Sequence, residues 1–422
     1  MAWAERVSSR SWRVRYWKDD GSVGSVYGFT TKTAAQHAAD DMESDQRAGT
    51  FIDPHRGKTT LADWVDDWLP ALDVDIRTEE NYRGMLRRHI LPRWGTTSLA
   101  DISSIKVTAW AKTLRNDGLA PATVSGITKL FTMILADAVA ERLIAYNPSQ
   151  LRRRGRGRTV RPAEKIWATH EQALAVADQT ADCYHPWGAM LIATAAWTGM
   201  RWGEITGLHR HNVHLDDGHL TIHPDTGALH ESAGGKLWLG PPKNPTSARR
   251  ITLPPFLIPL LQRHLDEVDA DFVFVTPERQ WHRRSNFARR ATRPAADGTP
   301  TRRPALVEPN GTATAEADNT GTARTGRPAK PLAFTEPVAP GLTFHGLRHS
   351  HKTWMIADGL PEIAQSRRLG HILPDKIQET YSHVADEVEH RLLQALQDRW
   401  DKATANSTRA DPPWRTPTTG RG

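Results

Sequence analysis

Four short segments carry side chains suited to handling a phosphate. The first is Ala193-Thr-Ala-Ala-Trp-Thr-Gly-Met-Arg201-Trp-Gly-Glu204-Ile-Thr-Gly-Leu208. A buried apolar helix is expected to end at Thr198-Gly199, with Arg201 emerging at the turn before the next helix. A guanidinium fixed there presents a planar fork of donors to phosphate oxygens. The second segment, Gly240-Pro-Pro-Lys243-Asn-Pro-Thr-Ser-Ala-Arg-Arg-Ile251-Thr-Leu253, reads as a β-turn carrying a lysine and then a strand. The third is Phe344-His345-Gly346-Leu347-Arg348-His349, and the fourth is Leu369-Gly370-His371, with Tyr381 ten residues further on. Taken singly, each has a plain structural explanation. Arg201 would be a salt-bridge residue, Tyr381 a packed aromatic and Lys243 a surface lysine in a turn. Lys236 is the rival to Lys243, but it precedes the second strand of the hairpin implied here.

Taken together, the order Arg, Lys, His-x-x-Arg, Leu-Gly-His, Tyr resembles the signature of the tyrosine recombinases, the phage-integrase family. The resemblance rests on TGMRWGEITGL, HGLRH and LGH followed by the tyrosine, and covers about residues 165–400. It implies strand exchange on double-stranded DNA. Tyr381 would be the nucleophile and form a link to the 3′-phosphate. Nearby cations would favour its phenolate, since a free tyrosine ionises only near about 10. Arg201 and Arg348 would stabilise charge on the non-bridging oxygens. Lys243 would protonate the leaving 5′-oxygen. His345 would hydrogen-bond the phosphate or handle the tyrosine's proton, His371 would donate a further bond, and Glu204 would orient the site. Two arginines and a lysine would stand in for a divalent metal, so neither metal nor cofactor is expected. His349, His351 and His383 lack the His-Glu-x-x-His or cysteine pattern of a zinc site.

The same resemblance implies a homotetramer on two duplexes, core and arm-type DNA sites, a host bending factor or an excisionase as partners, and no membrane. It points to integration, with excision as a further possibility, of a phage or mobile-element genome; the single cysteine fits a reducing cytoplasm, and the high Arg, Ala and Trp content suggests a GC-rich bacterial host. A chromosome or plasmid resolvase of the same family, a topoisomerase-like nickase and a non-catalytic DNA-binding regulator are the competing readings. Loss of a catalytic residue would favour the regulator, and none is missing.

The elements that must position these residues follow from the rest of the chain. Its 422 residues suggest two or three domains. With 38% hydrophobic residues there is material for real cores, which excludes a wholly disordered chain, a collagen or a coiled-coil rod. Lys+Arg exceeds Asp+Glu by 55 to 48, making polyanions the first partners to test. The single cysteine, Cys183, excludes intramolecular disulfides and cysteine-based zinc clusters. No signal-like apolar run opens the chain, and the longest uncharged run, 183–200, is too short and broken to span a membrane.

The expected fold is multidomain. A small α+β module occupies 1–57: Trp12, Val14 and Tyr16 share one strand face, Arg13, Arg15 and Trp17 the other, and Val23–Phe29 forms a second strand. Thr33 is expected to cap the helix that follows and runs to about Ala48. This module looks like an arm-binding domain, with Arg13 and Arg15 as candidate DNA contacts. Residues 58–150 carry helical stripes such as Leu61, Trp64, Val65, Trp68 and Leu69, and Tyr82, Met85, Leu86 and Ile90, the latter expected to end at Pro92. This all-α segment, ending in Ala145-Tyr-Asn-Pro148, looks like the family's core-binding (SAM-like) domain. Its exposed face offers Arg87 and Arg88. A basic linker at 151–164 holds Arg152, Arg153, Arg154, Arg156 and Arg158, each able to neutralise a phosphate. A catalytic domain, mixed and mostly α-helical with a small antiparallel sheet, is expected over 165–400. A low-complexity insertion at 291–340, where Ala, Thr, Pro and Gly make up 32 of 50 residues, interrupts it, and a disordered tail follows at 401–422. The last helix, about 384–400, sets Val384, Val388, Leu392, Leu396 and Trp400 on one face. Such a face can cap its own core; the resemblance favours docking into a neighbouring protomer instead.

Overall fold

Alternation at the N-terminus produces a sheet, and the computed structural model shows how far it extends. The model describes residues 1–18, 21–150, 164–299, 334–372, 385–407 and 412–415. These fall into two units, Met1–Val160 and Arg161–Gly422. In the first unit β1 (Ala2–Ser8), β2 (Ser11–Trp17) and β3 (Val23–Phe29) form an antiparallel sheet in that order. Val14 and Tyr16 are fully buried against Ala35 and Ala39 of α1 (Lys32–Ala48). Strand β1 was not expected; its inward positions are Ala2 and Ala4, too small to register as an apolar stripe. The helix begins two residues earlier than expected. Thr31, not Thr33, is the N-cap, its hydroxyl accepting from the Ala34 amide at 3.2 Å.

The rest of the first unit is helical, in α2 (Leu61–Trp68), α3 (Ile76–Met85), α4 (Leu91–Trp94), α5 (Ser104–Asn116) and α6 (Pro121–Ala140). Trp94 stacks on Phe131 at 5.5 Å and meets Trp110 edge-on at 5.8 Å, which fixes three helices around one aromatic cluster. Pro92 does not end its helix. Residues Leu86–Ile90 form a π turn, and α4 carries the helix on to Trp94. The wider turn accommodates a residue that has no amide to donate. Among the described residues only Pro121–Ala140 is long and apolar enough to cross a membrane, and its Val124, Ile127, Leu130, Phe131, Ile134 and Leu135 are buried in this core.

The second unit is built on α7 (His170–Cys183) and α8 (Pro186–Thr198). Thr169 and Gln172 cap α7 reciprocally. Helix α8 is apolar on every face, and everything from Gly188 to Thr198 is buried. After α9 (Trp202–Thr206) come β4 (Val213–His214), β5 (His219–Ile222), β6 (Ala228–Glu231), β7 (Leu237–Gly240) and β8 (Arg249–Thr252). Strands β4, β5 and β8 form one antiparallel sheet, with Leu220 opposite Ile251, and β6 and β7 form a separate hairpin. Helices α10 (Leu257–Glu267), α11 (Arg284–Phe287), α12 (Arg293–Asp297), α13 (Phe344–Ala357), α14 (Glu362–Leu369) and α15 (Asp386–Ala405) complete the unit.

Three expectations about this unit are corrected. The insertion does not begin at 291 or end at 340. Ala291, Ala295 and Ala296 are fully buried, Gln179 of α7 bonds the carbonyls of Ala295 and Glu336, and Thr299 bridges Thr335. Small residues there are packing material rather than a sign of missing structure. The tail does not begin at 401: α15 runs to Ala405, and Trp414 and Arg415 are buried, both bonding Asp178 at 3.0 Å. The apolar face of the last helix is covered by its own chain. Leu392, Leu396, Trp400 and Ala403 are buried, the Trp197 indole donates to the Leu396 carbonyl at 3.1 Å, and Phe256 stacks on Trp400 at 4.1 Å. Docking of this face into a neighbour is therefore not what the structure shows. Val384 lies outside the described residues.

Candidate active site

The last turns of α8 and α14 leave carbonyls with no partner inside their helices. Side-chain donors from α13, α14, β8 and the Arg201 turn take them. At the end of α8, the Ala196 carbonyl accepts from His351 Nδ1 (3.0 Å), Trp197 from Arg368 Nη2 (3.1 Å) and Gly199 from Arg348 Nη1 (2.6 Å). At the end of α14, Arg368 O accepts from Arg249 Nε (2.7 Å), Leu369 O from Arg348 Nη2 and Gly370 O from Arg201 Nη2 (3.0 Å). The negative ends of two helix dipoles thus face a group of guanidiniums. Arg201 and Arg348 are aligned because they hold adjacent carbonyls.

Both turns need glycine. Gly199 has φ 67° and Gly370 φ 60°, the left-handed region. A Cβ at Gly370 would stand 2.9 Å from both Ser247 Cα and the Thr246 carbonyl oxygen.

Glu204, one turn into α9 and 1% exposed, accepts from the Arg201 amide (3.0 Å), Arg201 Nη1 (2.7 Å) and Arg249 Nη2 (3.0 Å). Burial pushes its carboxyl up, but Arg249 and Arg201 more than offset this and hold it below the usual carboxylate range. Arg201 Nη1 also donates to Ser247 Oγ at 2.8 Å. Arg348 is buried, and burial together with Arg201 pushes it down to about 9, so it stays cationic at neutral pH. Arg368 is likewise buried, bonds Thr252 and lies 3.7 Å from Glu389. Four arginines here face two glutamates. The surplus positive charge suits a group that gains negative charge as it reacts.

The histidines are held neutral. Arginine can only donate, so His351 Nε2 accepts from Arg368 Nε (2.9 Å) while its Nδ1 proton goes to the Ala196 carbonyl. Burial and Arg368 push His351 well down. His345 sits in the first turn of α13, exposed on one side and 4.7 Å edge-on from His349. The burial of its other side, with His349 and Arg348 nearby, pushes it to about 4. Half-buried His371 is pushed to about 4 by burial, Arg348 and Lys352. His264 and His282 of the core also lie near 4 because of burial. A pH dependence follows. These folded-state values lie below the usual 6.5, so as pH falls the unfolded chain takes up protons first. The stabilisation is complete above about 6.5 and is lost towards pH 4, the buried His264 and His282 each adding a slope of up to about 1.4 kcal/mol per pH unit and the solvent-facing His345 and His371 less. Thermal melts of the full chain from pH 7.5 to 4.5 should show a falling Tm across this window; a flat profile would contradict the assignment.

The structure brings together Arg201, Glu204, Arg348, His345 and His371. It does not place Lys243 in this bonded cluster: the lysine is exposed on the bend after β7, with no hydrogen-bond partner among the described residues. Tyr381 lies outside the described residues, as do Arg152, Arg153, Arg154, Arg156 and Arg158. In the N-terminal sheet Arg13 bonds both oxygens of Glu5 (3.0 and 2.9 Å) and Arg15 lies 3.5 Å from the same carboxylate, so β1 engages both candidates. Arg87 and Arg88 are exposed on the π turn. Ser247, Arg249, His351 and Arg368 were missed. Arg249 was marked, since period-two spacing puts it on the inward face with Ile251. His351 was marked too, one helical turn after Arg348.

A family model described as phage integrase, N-terminal SAM-like domain, matches residues 60–115. The prophage phiRv2 integrase of Mycobacterium tuberculosis is 26% identical over 62% of this chain and 68% of its own length. The integrase of Mycobacterium phage L5 is 26% identical over 49% of this chain and 53% of its own. Residues 60–115 thus match a phage-integrase domain, and the chain is similar to phage and prophage integrases over about half to two thirds of its length. Among solved structures, the Tn1549 transposon integrase in complex with a circular intermediate DNA shares the fold, with a TM-score of 0.56 and 16% identity over 80% of this chain and 99% of that one. The phage integrase fold therefore accounts for the multidomain, largely helical architecture. The guanidinium cluster on α8 and α14 lies within the stretch that carries the family's motif order.

Proposed function

We propose that this chain is a site-specific DNA recombinase that integrates, and also excises, a phage or mobile-element genome through a 3′-phosphotyrosyl intermediate. The observation that carries this reading is the placement of Arg201 and Arg348 on the adjacent carbonyls of Gly370 and Leu369. Two cations so aligned can each hold a non-bridging oxygen of one phosphodiester. The Tyr381 oxygen attacks phosphorus and the bond to the 5′-oxygen breaks. The tyrosine's proton passes to His345, which is neutral and so able to accept it. Lys243 gives its proton to the departing 5′-oxygen. His371 donates to the phosphate, and Glu204 keeps Arg201 aimed. The phosphotyrosine retains the bond energy, so resealing needs neither ATP nor a metal.

Residues 1–57 and 58–150 serve as the arm-type and core-type DNA-binding domains, and the linker arginines and Arg87 and Arg88 add backbone contacts. Four copies act on two duplexes in the cytoplasm, with a bending factor or an excisionase setting direction. The test is a nicked suicide duplex taken from the junction of the encoding element. Wild-type chain should form an SDS-stable adduct whose nucleotide-bearing peptide contains Tyr381. An adduct on another residue would remove Tyr381 from its role, and specific binding with no adduct would establish the regulator reading instead.

A further inference from the structure

Lys243 is exposed and unbonded, yet its loop is held at both ends. Upstream, His230 Nε2 donates to the Pro241 carbonyl at 2.9 Å, and Gly240 pairs with Ala228 across the β6–β7 hairpin. Downstream, fully buried Ser247 accepts from Arg201 Nη1 at 2.8 Å. Its carbonyl accepts from Arg249 Nη1 at 2.7 Å, and its Cα lies against Gly370. Between these anchors Pro241, Pro242 and Pro245 fix three φ angles, leaving Lys243 a short stiff span to move on. Arg201 is thereby bonded to the same loop that carries the lysine.

We propose that Ser247 is a positioning residue: its hydroxyl, held by Arg201, registers the Lys243 loop against the phosphate clamp. This rests on the reading of Lys243 as the general acid given above. Without the hydroxyl, Arg201 keeps Glu204 and Gly370 and stays in place, while the loop loses its direct hydrogen bond to Arg201 and keeps only the backbone ties to Arg249 and Gly370. The defect therefore falls on protonation of the leaving oxygen, and a leaving group that needs no proton conceals it. A DNA with sulfur in place of the bridging 5′-oxygen supplies such a group, since thiols ionise near about 8.5.

Single-turnover cleavage of oxygen and sulfur substrates is measured for wild type, Lys243→Ala, Ser247→Ala and His230→Ala, each checked for folding by thermal melting. General acids contribute about 10²–10⁴-fold, so Lys243→Ala should lose that much on oxygen and little on sulfur. Ser247→Ala should lose roughly tenfold to a hundredfold on oxygen, again with recovery on sulfur, and His230→Ala should follow the same pattern by releasing the other anchor. Equal losses of Ser247→Ala on both substrates, or no loss on either, would overturn the inference while Lys243 kept its role. Failure of sulfur to rescue Lys243→Ala would overturn the general-acid reading and this inference with it.

Discussion

Arg348→Ala should lower single-turnover cleavage by about 10³-fold, the upper range for removing one preorganised donor to developing charge. Both of its Nη atoms are already bound, to Gly199 and Leu369, so the side chain is fixed before DNA arrives and needs no reorganisation to act. Its removal also strands two buried carbonyls, so a lower Tm should accompany the loss, by the roughly 1–3 kcal/mol that each unsatisfied buried group costs. Arg348→Lys separates the two effects. It keeps the charge but cannot bridge both carbonyls and still face a phosphate. Cleavage should stay reduced by roughly 10²-fold although the cation is restored. Rates are read from adduct formation on a suicide duplex at saturating protein. A loss of less than tenfold in the alanine variant would show that Arg348 is structural only.

Gly370→Ala should damage both stability and cleavage, because it acts at the clamp itself. The left-handed conformation alone costs roughly 1–2 kcal/mol for a residue with a Cβ. Here the new atom also meets backbone on a second element, at 2.9 Å from Ser247 Cα and Thr246 O. Relief requires α14 and the Thr246–Ser247 segment to separate, which pulls the Gly370 carbonyl off Arg201. Gly359 supplies the control. Its φ is 65°, and a Cβ there meets nothing within 4 Å. Gly359→Ala should therefore lower stability by about 1–2 kcal/mol with cleavage unchanged. Gly370→Ala should lose more stability and, at temperatures where it remains folded, at least tenfold in rate. Equal behaviour of the two variants would show that contact between α14 and Ser247 does not set the site.

Much of this was legible in the residues, for identifiable reasons. The strand at 11–17 declared itself because Val14 and Tyr16 are large and alternate with arginines; β1 did not, because its inward residues are alanines. The stripe through Tyr82 and Ile90 was visible, but Pro92 looked like a stop because a π turn leaves no mark in composition. Arg201, Glu204, His345, Arg348 and His371, which the structure brings together, were picked out by type and order. Their supports Arg249, Arg368 and His351 were passed over: spacing marked Arg249 and His351 only as inward-facing, and many of their bonds go to backbone carbonyls, which any sequence supplies. Alanine-rich stretches were overread as disorder at 291–297, where small size is what allows α12 to approach α7. The tail anchor at Trp414 and Arg415 was hidden by distance: its partner Asp178 lies more than two hundred residues earlier.

The sharing of helix-end carbonyls among the proposed catalytic cations also bears on how such a chain can change over generations. Arg201 and Arg348 each complete the hydrogen bonding of a helix terminus, so a lineage that loses either loses folding stability as well as chemistry. Lys243 supports nothing in the described residues, and its replacement costs the fold little. A descendant that abandons recombination but keeps its DNA site is thus free to discard the lysine early, while the arginine pair persists as a relic of the chemistry it once served.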